Sequence, residues 1–220
     1  MHRLGFHSDE SGLLFSTKLR PIGSGAEATV WLDEDYACVY KLFDLRPSGA
    51  LGKKIVLEAD EDGRYDIYDR DAVFFETIEK IALLHEAGAH PTEIVGVAES
   101  GDCFIVKQPL AFRMEDYEKD RSSSITAIKG IPLVGPFRKR TAVLWLREQA
   151  WLVGDLHERN IMRDSLGRPT IIDALIGTII PAAVKSLRSL EEAIEDAHAL
   201  ALGVPPPKRR AFDDVDPSEL

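Results

Sequence analysis

The chain has 220 residues, 45% hydrophobic and 29% charged, which is enough apolar content to bury a real core in one compact domain or two small lobes and excludes default disorder. Its formal net charge of −10 argues against a general nucleic-acid binder, which needs a basic surface to release phosphate counterions. Only Cys38 and Cys103 occur, both in apolar strand-like runs, so they read as reduced core residues with neither a disulfide framework nor metal-ligand spacing. The N-terminus lacks a stretch of signal-peptide length, and the apolar run from Ile171 to Val184 is interrupted by Asp173 and Pro181. A soluble, cytoplasmic protein without membrane contact is expected.

Residues 1 to 20 are weakly patterned; Leu13-Leu14-Phe15 reads as a short strand or strap, and His2 and His7 as surface residues. In the run Pro21 to Leu32, the segment Gly23-Ser24-Gly25-Ala26-Glu27-Ala28-Thr29-Val30 places two residues without side chains between two strands. Backbone N–H groups there can approach phosphate oxygens, although hairpin turns use the same G-x-G spacing. Tyr36 to Phe43 alternates as a half-buried strand carrying one lysine, Lys41, among apolar neighbours. A buried ammonium is costly unless paired. Ile55 to Ala59 and Arg64 to Tyr68, joined by Asp60-Glu61-Asp62-Gly63, read as a hairpin.

Val73 to Glu86 carries Phe74, Ile78, Ile81, Ala82 and His85 at helical spacing. Two glutamates of that helix, Glu76 and Glu79, can reach toward Lys41. Glu79 is preferred, because Leu83 follows one turn later on the same face whereas Lys80 follows Glu76 at that distance. Ala89-His90-Pro91 ends the helix, and Ile94 to Ala98 with Cys103 to Lys107 forms a second hairpin. Ser122-Ser123-Ser124 can cap a short helix through Lys129 that Gly130 stops. Thr141 to Val153 fits neither the helix nor the strand period, and a helix and a strand pair both stay open. Further on, Ser189 to Leu202 is an amphipathic helix closed by Gly203, and the tail from Lys208-Arg209-Arg210 is expected to be disordered.

The chemistry concentrates in Val153-Gly154-Asp155-Leu156-His157-Glu158-Arg159-Asn160 and in Thr170-Ile171-Ile172-Asp173, joined by the turn Asp164 to Pro169. An Asp and an Asn five positions apart on a polar loop can approach one phosphate from two sides, with Asp173 presented at the end of a buried strand. A transferring phosphoryl group needs a carboxylate to orient the hydroxyl nucleophile, which suits Asp155. It also needs oxygen ligands for magnesium, which suits Asn160 and Asp173.

These motifs resemble the protein-kinase-like fold, whose catalytic loop carries D-x-x-x-x-N and whose magnesium strand ends in D-F-G. The D-L-H-x-x-N form is similar to atypical and small-molecule kinases, and Val39-Tyr40-Lys41 resembles the V-A-I-K strand. The compact kinase-like domains of phage and mobile-element polyvalent proteins look closest, over roughly residues 20 to 180. The resemblance implies an α+β fold with an antiparallel-sheet N-lobe (1–107), a hinge and reduced C-lobe (108–203) and a tail (204–220). It implies a nucleotide site of Gly23, Gly25, Val30, Lys41, Gln108 and Leu110, the last two at a hinge that reads the adenine edge and that Pro109 stiffens. Asp155, Lys41 and Glu79 would be catalytic, Asn160 and Asp173 would hold Mg2+, and ATP would be the donor.

Departures bear on the kind of activity. Asp173 is followed by Ala174-Leu175-Ile176-Gly177, Val153-Gly154 stands where protein kinases carry H-R, and no A-P-E follows. Regulation of the usual protein-kinase sort is not expected. The reading is an ATP- and Mg-dependent phosphotransferase with an unknown hydroxyl acceptor, small molecule or protein. The alternatives are a nucleotide-binding pseudokinase and a protein-interaction domain without turnover.

Overall fold

The computed structural model describes residues 4–8, 14–25, 27–46, 51–98, 101–133 and 140–207. Expectations for Leu13, His2 and the tail from Lys208 onward fall outside the described residues. The fold is mixed α+β, and every strand pairing among the described residues is antiparallel.

A short ribbon of β1 (Phe6–Ser8) and β2 (Leu14–Ser16) precedes β3 (Arg20–Ser24), β4 (Thr29–Asp33) and β5 (Cys38–Asp44). The expected alternation of β5 is not what its burial shows: Cys38 through Phe43 are all buried. The strand is central, with Cys38, Tyr40 and Leu42 packed on Phe6 and Trp31 on one face, and Phe43 packed on Ile81 and Phe104 on the other. Covering both faces removes the polar half of the pattern.

The chain then leaves this sheet as a hairpin of β6 (Lys53–Ala59) and β7 (Tyr65–Asp71), enters α1 (Phe74–Glu86), and returns as β8 (Glu93–Val97) and β9 (Cys103–Pro109). The five-stranded sheet runs β3-β4-β5-β9-β8. Glu76 in the first turn of α1 accepts the Val73 N–H at 3.1 Å, satisfying a donor that the helix leaves open.

β10 (Phe112–Arg113) leads into α2 (Tyr117–Ala127), which starts earlier than the serine triplet suggested. Asp116 is the cap, accepting from the Lys119 N–H, so Ser122 to Ser124 lie inside the helix. β11 (Ile131–Pro132) follows, and the segment left open in the sequence is a strand pair, β12 (Ala142–Leu146) and β13 (Gln149–Gly154). Its turn residues Arg147 and Glu148 both have positive φ, 51° and 60°, as a two-residue hairpin turn requires.

β14 (Ile161–Arg163) and β15 (Pro169–Ile171) form the hairpin closed by Asp164, whose carboxylate accepts the N–H groups of Leu166 and Arg168. β16 (Leu175–Thr178), α3 (Pro181–Ser186) and α4 (Arg188–Ala201) complete the chain. The second sheet runs β11-β12-β13-β16 and the third β10-β14-β15.

Although β6–β7 belongs by sequence to the first half, its Ile55, Leu57 and Ile67 are buried with Val143, Leu152, Leu175 and Leu190 of the second. Two glycines make room for it. A Cβ on Gly177 would lie 1.9 Å from the Ile55 carbonyl oxygen, and one on Gly154 would lie 2.2 Å from Ile55 Cδ1. The two halves are also joined beside β9: Gln108 Nε2 donates to the Ile172 carbonyl at 3.1 Å and to Thr92 Oγ1 at 2.8 Å, and the His90 N–H donates to the Ile171 carbonyl at 2.9 Å.

Candidate functional site

β13 ends at Gly154, and the next residue, Asp155, turns into the left-handed region at φ 59°. Asp is among the few residue types that tolerate this conformation, which still costs roughly 1 kcal/mol. The turn brings the Asp155 carbonyl and carboxylate to bear on Asn160, whose Nδ2 donates to the carbonyl at 2.9 Å and to Oδ2 at 3.0 Å. His157 Nε2 lies 3.4 Å from Asp155 Oδ1, and its Nδ1 accepts the Arg159 N–H at 3.0 Å, which leaves Nε2 as the protonated, Asp155-facing nitrogen.

The loop is anchored from three directions. Tyr117 Oη donates to the Leu156 carbonyl at 2.5 Å, the Leu156 N–H donates to the Arg140 carbonyl, and the Ile172 N–H donates to the Asn160 carbonyl at 3.0 Å. The last bond fixes Asp173, one residue on, relative to Asn160. Lys41, buried on β5, reaches across with Nζ 3.1 Å from Asp173 Oδ2. Asp155, Asn160, Asp173 and Lys41 line one cleft of about 360 Å³, together with Gly25 and Val30, the latter opposite Lys41 in the β4–β5 register.

Withdrawal from water raises the Asp155 carboxyl above its ordinary range. The neighbouring Asp173 and Asp69 charges push the same way, while His157 and the Asn160 hydrogen bond pull it back.

Four expected site residues stand elsewhere. Glu79 is exposed on α1 and the ion pair of Lys41 is with Asp173, so the expected Lys41–Glu79 pairing does not form. Glu76 is engaged with Lys54 at 3.1 Å and Arg70 at 2.6 Å, and the Arg70 bond leads in holding its carboxyl down at about 2. The inward charge of α1 is instead Lys80, buried against Glu27 Oε2 at 2.8 Å, while Glu27 Oε1 accepts the Lys53 N–H at 2.9 Å. The glycine-bearing β3–β4 turn is thereby tied to α1 by a glutamate of the turn and a lysine of the helix.

Gly23 is exposed and does not line the cleft. Gln108 and Leu110 do not line it either: Gln108 turns its amide to Thr92 and Ile172, and the Leu110 N–H donates to the Ala37 carbonyl at 2.8 Å. His90 Nε2 lies 2.8 Å from the Pro109 carbonyl, and because a carbonyl only accepts, that nitrogen carries the proton.

The sequence reading missed Glu27, Lys53, Asp69, His157 and Arg159 as lining residues. Glu27 had a signal, since a lysine inside the apolar stripe of a helix wants a carboxylate. Lys53 and Asp69, ion-paired across the β6–β7 hairpin, had none, because nothing local reveals where the hairpin packs.

Among the described residues no cluster of three or more His, Cys, Asp or Glu is arranged to hold a metal ion. Magnesium asks for less, since it usually keeps several waters and takes one or two carboxylates along with substrate phosphates. No protein-family model matches the chain, and searches of curated proteins and of solved structures gave no match.

Proposed function

We propose that the chain is an ATP- and magnesium-dependent phosphotransferase of the protein-kinase-like type, acting on a hydroxyl acceptor. The observation that carries this reading is convergence: Gly25, Lys41, the loop of Asp155 and Asn160, and Asp173 come from four stretches of sequence and line the same cleft. The donor set suits the role. Asn160 spends its Nδ2 on Asp155, so its carbonyl oxygen is the end left for a cation, and Asp173 is partly exposed beside it. Lys41 would meet the phosphates, the N–H groups around Gly25 would approach their oxygens, and Asp155 would orient the acceptor hydroxyl and take its proton. Magnesium, when held by Asn160 and Asp173, would neutralise charge on the phosphates.

A nucleotide binder without turnover is the second reading, and the Lys41–Asp173 pair favours it, since each of these charges already has a partner within the protein. A thermal melt followed by an ATPase assay separates the readings. Mg-ATP at about a hundred times its dissociation constant should add roughly 2.7 kcal/mol of stability. Asp173→Asn should remove the magnesium-dependent part of that shift. Asp155→Asn should keep the shift and slow ATP hydrolysis by about a hundred- to ten-thousand-fold. Equal hydrolysis by wild type and Asp155→Asn would transfer the case to the non-catalytic reading, and a melt indifferent to nucleotide would end both.

A further inference from the structure

A smaller cleft of about 160 Å³ is lined by Ile55, Ile67, Tyr68, Arg140 and Thr141, and it shares Asp69, Asp155 and Leu175 with the main cleft. Its inner wall is apolar: Ile55 and Ile67 of the β6–β7 hairpin and Leu175 of β16 are buried. Its mouth is polar and open, with Tyr68 and Arg140 both exposed. The volume is close to that of the roughly 150 Å³ apolar cavity that takes a benzene ring, and well below the roughly 300 Å³ at which drug-sized pockets begin.

Charge narrows the occupant further. Asp69 is paired with Lys53, whereas Arg140 makes no ion pair with any of the described residues. Arg140 is also held in register with the catalytic loop, since its carbonyl accepts the Leu156 N–H at 3.2 Å. A guanidinium residue lining a ring-sized apolar cleft is matched by an anionic group on a small ligand.

We infer that this cleft binds the phosphoryl acceptor, and that the acceptor is a small hydroxylated molecule with a ring-sized apolar body and an anionic group directed at Arg140. The inference rests on the phosphotransferase reading above. In the step it implies, an Asp155 carboxylate oxygen takes the hydroxyl proton while the acceptor oxygen bonds to the γ-phosphorus of ATP. The bond from that phosphorus to the β–γ bridging oxygen breaks, its electron pair leaves on ADP, and the products are a phosphate ester, ADP and one proton. The shared position of Asp155 between two clefts is what this geometry requires.

The test uses three probes with similar bodies: 3-phenyllactate, which is anionic, 2-phenylethanol, which is neutral, and phenylalaninol, which is cationic. Binding to the full chain is read by saturation-transfer NMR without nucleotide, and transfer by probe-stimulated ADP release with Mg-ATP. Phenyllactate is expected to bind at least about tenfold more tightly than the other two, a difference of roughly 1.4 kcal/mol, and to stimulate ADP release. Arg140→Glu should abolish that preference, Arg140→Lys should restore part of it, and Tyr68→Ala should weaken all three probes together. An unchanged Mg-ATP melt shift in Arg140→Glu reports that the variant is folded. Equal binding of the three probes, or a preference that survives Arg140→Glu, overturns the inference while leaving the nucleotide reading intact. Phenyllactate binding with neither a Mg-ATP melt shift nor ADP release overturns the acceptor role together with the phosphotransferase reading.

Discussion

Asp155 carries a left-handed backbone and a carboxyl partly withdrawn from water in view of two other carboxylates. A carboxyl whose folded value lies above its unfolded value contributes stability at pH below the unfolded value, and that contribution is lost as pH rises through the folded one. At neutral pH the ionised Asp155 is therefore a net cost to the fold. Asp155→Asn should raise the melting temperature of the ligand-free protein at neutral pH, and the gap to wild type should narrow toward acid pH. Melts of both proteins at the two pH values check this, and a variant less stable than wild type at neutral pH would refute it. If the proposed phosphoryl transfer takes place, its rate should follow the opposite course, failing as acid protonates the carboxylate assigned to take the acceptor's proton. Asp155, Asn160 and Asp173 could be named from residue type and spacing, because the loop from Asp155 to Asn160 and the strand beyond it are local. The partner of Lys41 could not, because it depends on where the residue after β15, Asp173, comes to lie against β5 and on Lys80 claiming Glu27.

At the scale of elements, the way β6 crosses the second sheet sets up a comparison between two glycines. An added methyl at Gly177 would meet a backbone carbonyl that cannot step aside, whereas one at Gly154 would meet the far end of the Ile55 side chain. Gly177→Ala should destabilise by about 3 kcal/mol, at the upper end of overpacking costs, and Gly154→Ala by about 1 kcal/mol. Ile55→Val removes the obstructing Cδ1, so it should recover part of the Gly154→Ala loss and none of the Gly177→Ala loss. Chemical denaturation of the two double variants measures it; equal rescue in both would show that β6 moves as a body. The β8–β9 hairpin was legible because Ser100-Gly101-Asp102 marks a turn between two short runs rich in β-branched residues. β12–β13 was not, since Ala142, Leu144, Trp151 and Val153 face one core while Val143 and Leu152 face another, leaving no polar period to read.

Across the whole molecule, the segment joining the halves is committed to internal hydrogen bonds. The Leu110 N–H goes to Ala37, Pro109 has no N–H and its carbonyl takes His90, and the Gln108 amide spans to Thr92 and Ile172. A base edge entering the main cleft would meet the apolar side chains of Val30 and Leu175 rather than free hinge donors. If the cleft takes nucleoside triphosphates, ATP and GTP should bind within about tenfold of each other, a gap below roughly 1.4 kcal/mol. Competition of each against a fluorescent nucleotide measures the ratio, and a hundredfold preference for ATP would mean that this segment rearranges on binding. Most element types followed from local pattern, and the α+β class was an implication of the resemblance; the crossing of β6–β7 into the second half followed from neither, because the pattern that marks a hairpin carries no address.

On the ribosome, β6–β7 emerges long before its seat does. Ile55, Leu57 and Ile67 are made early, while Gly154 and Gly177, the two places narrow enough to receive them, come late in the chain. The first half can assemble its five-stranded sheet as soon as β9 is out, but its hairpin stays uncovered until β16 is synthesised. A nascent chain stopped short of Gly177 therefore displays an apolar ribbon with nowhere to dock, the form most prone to pair with another copy of itself or to be captured by a chaperone.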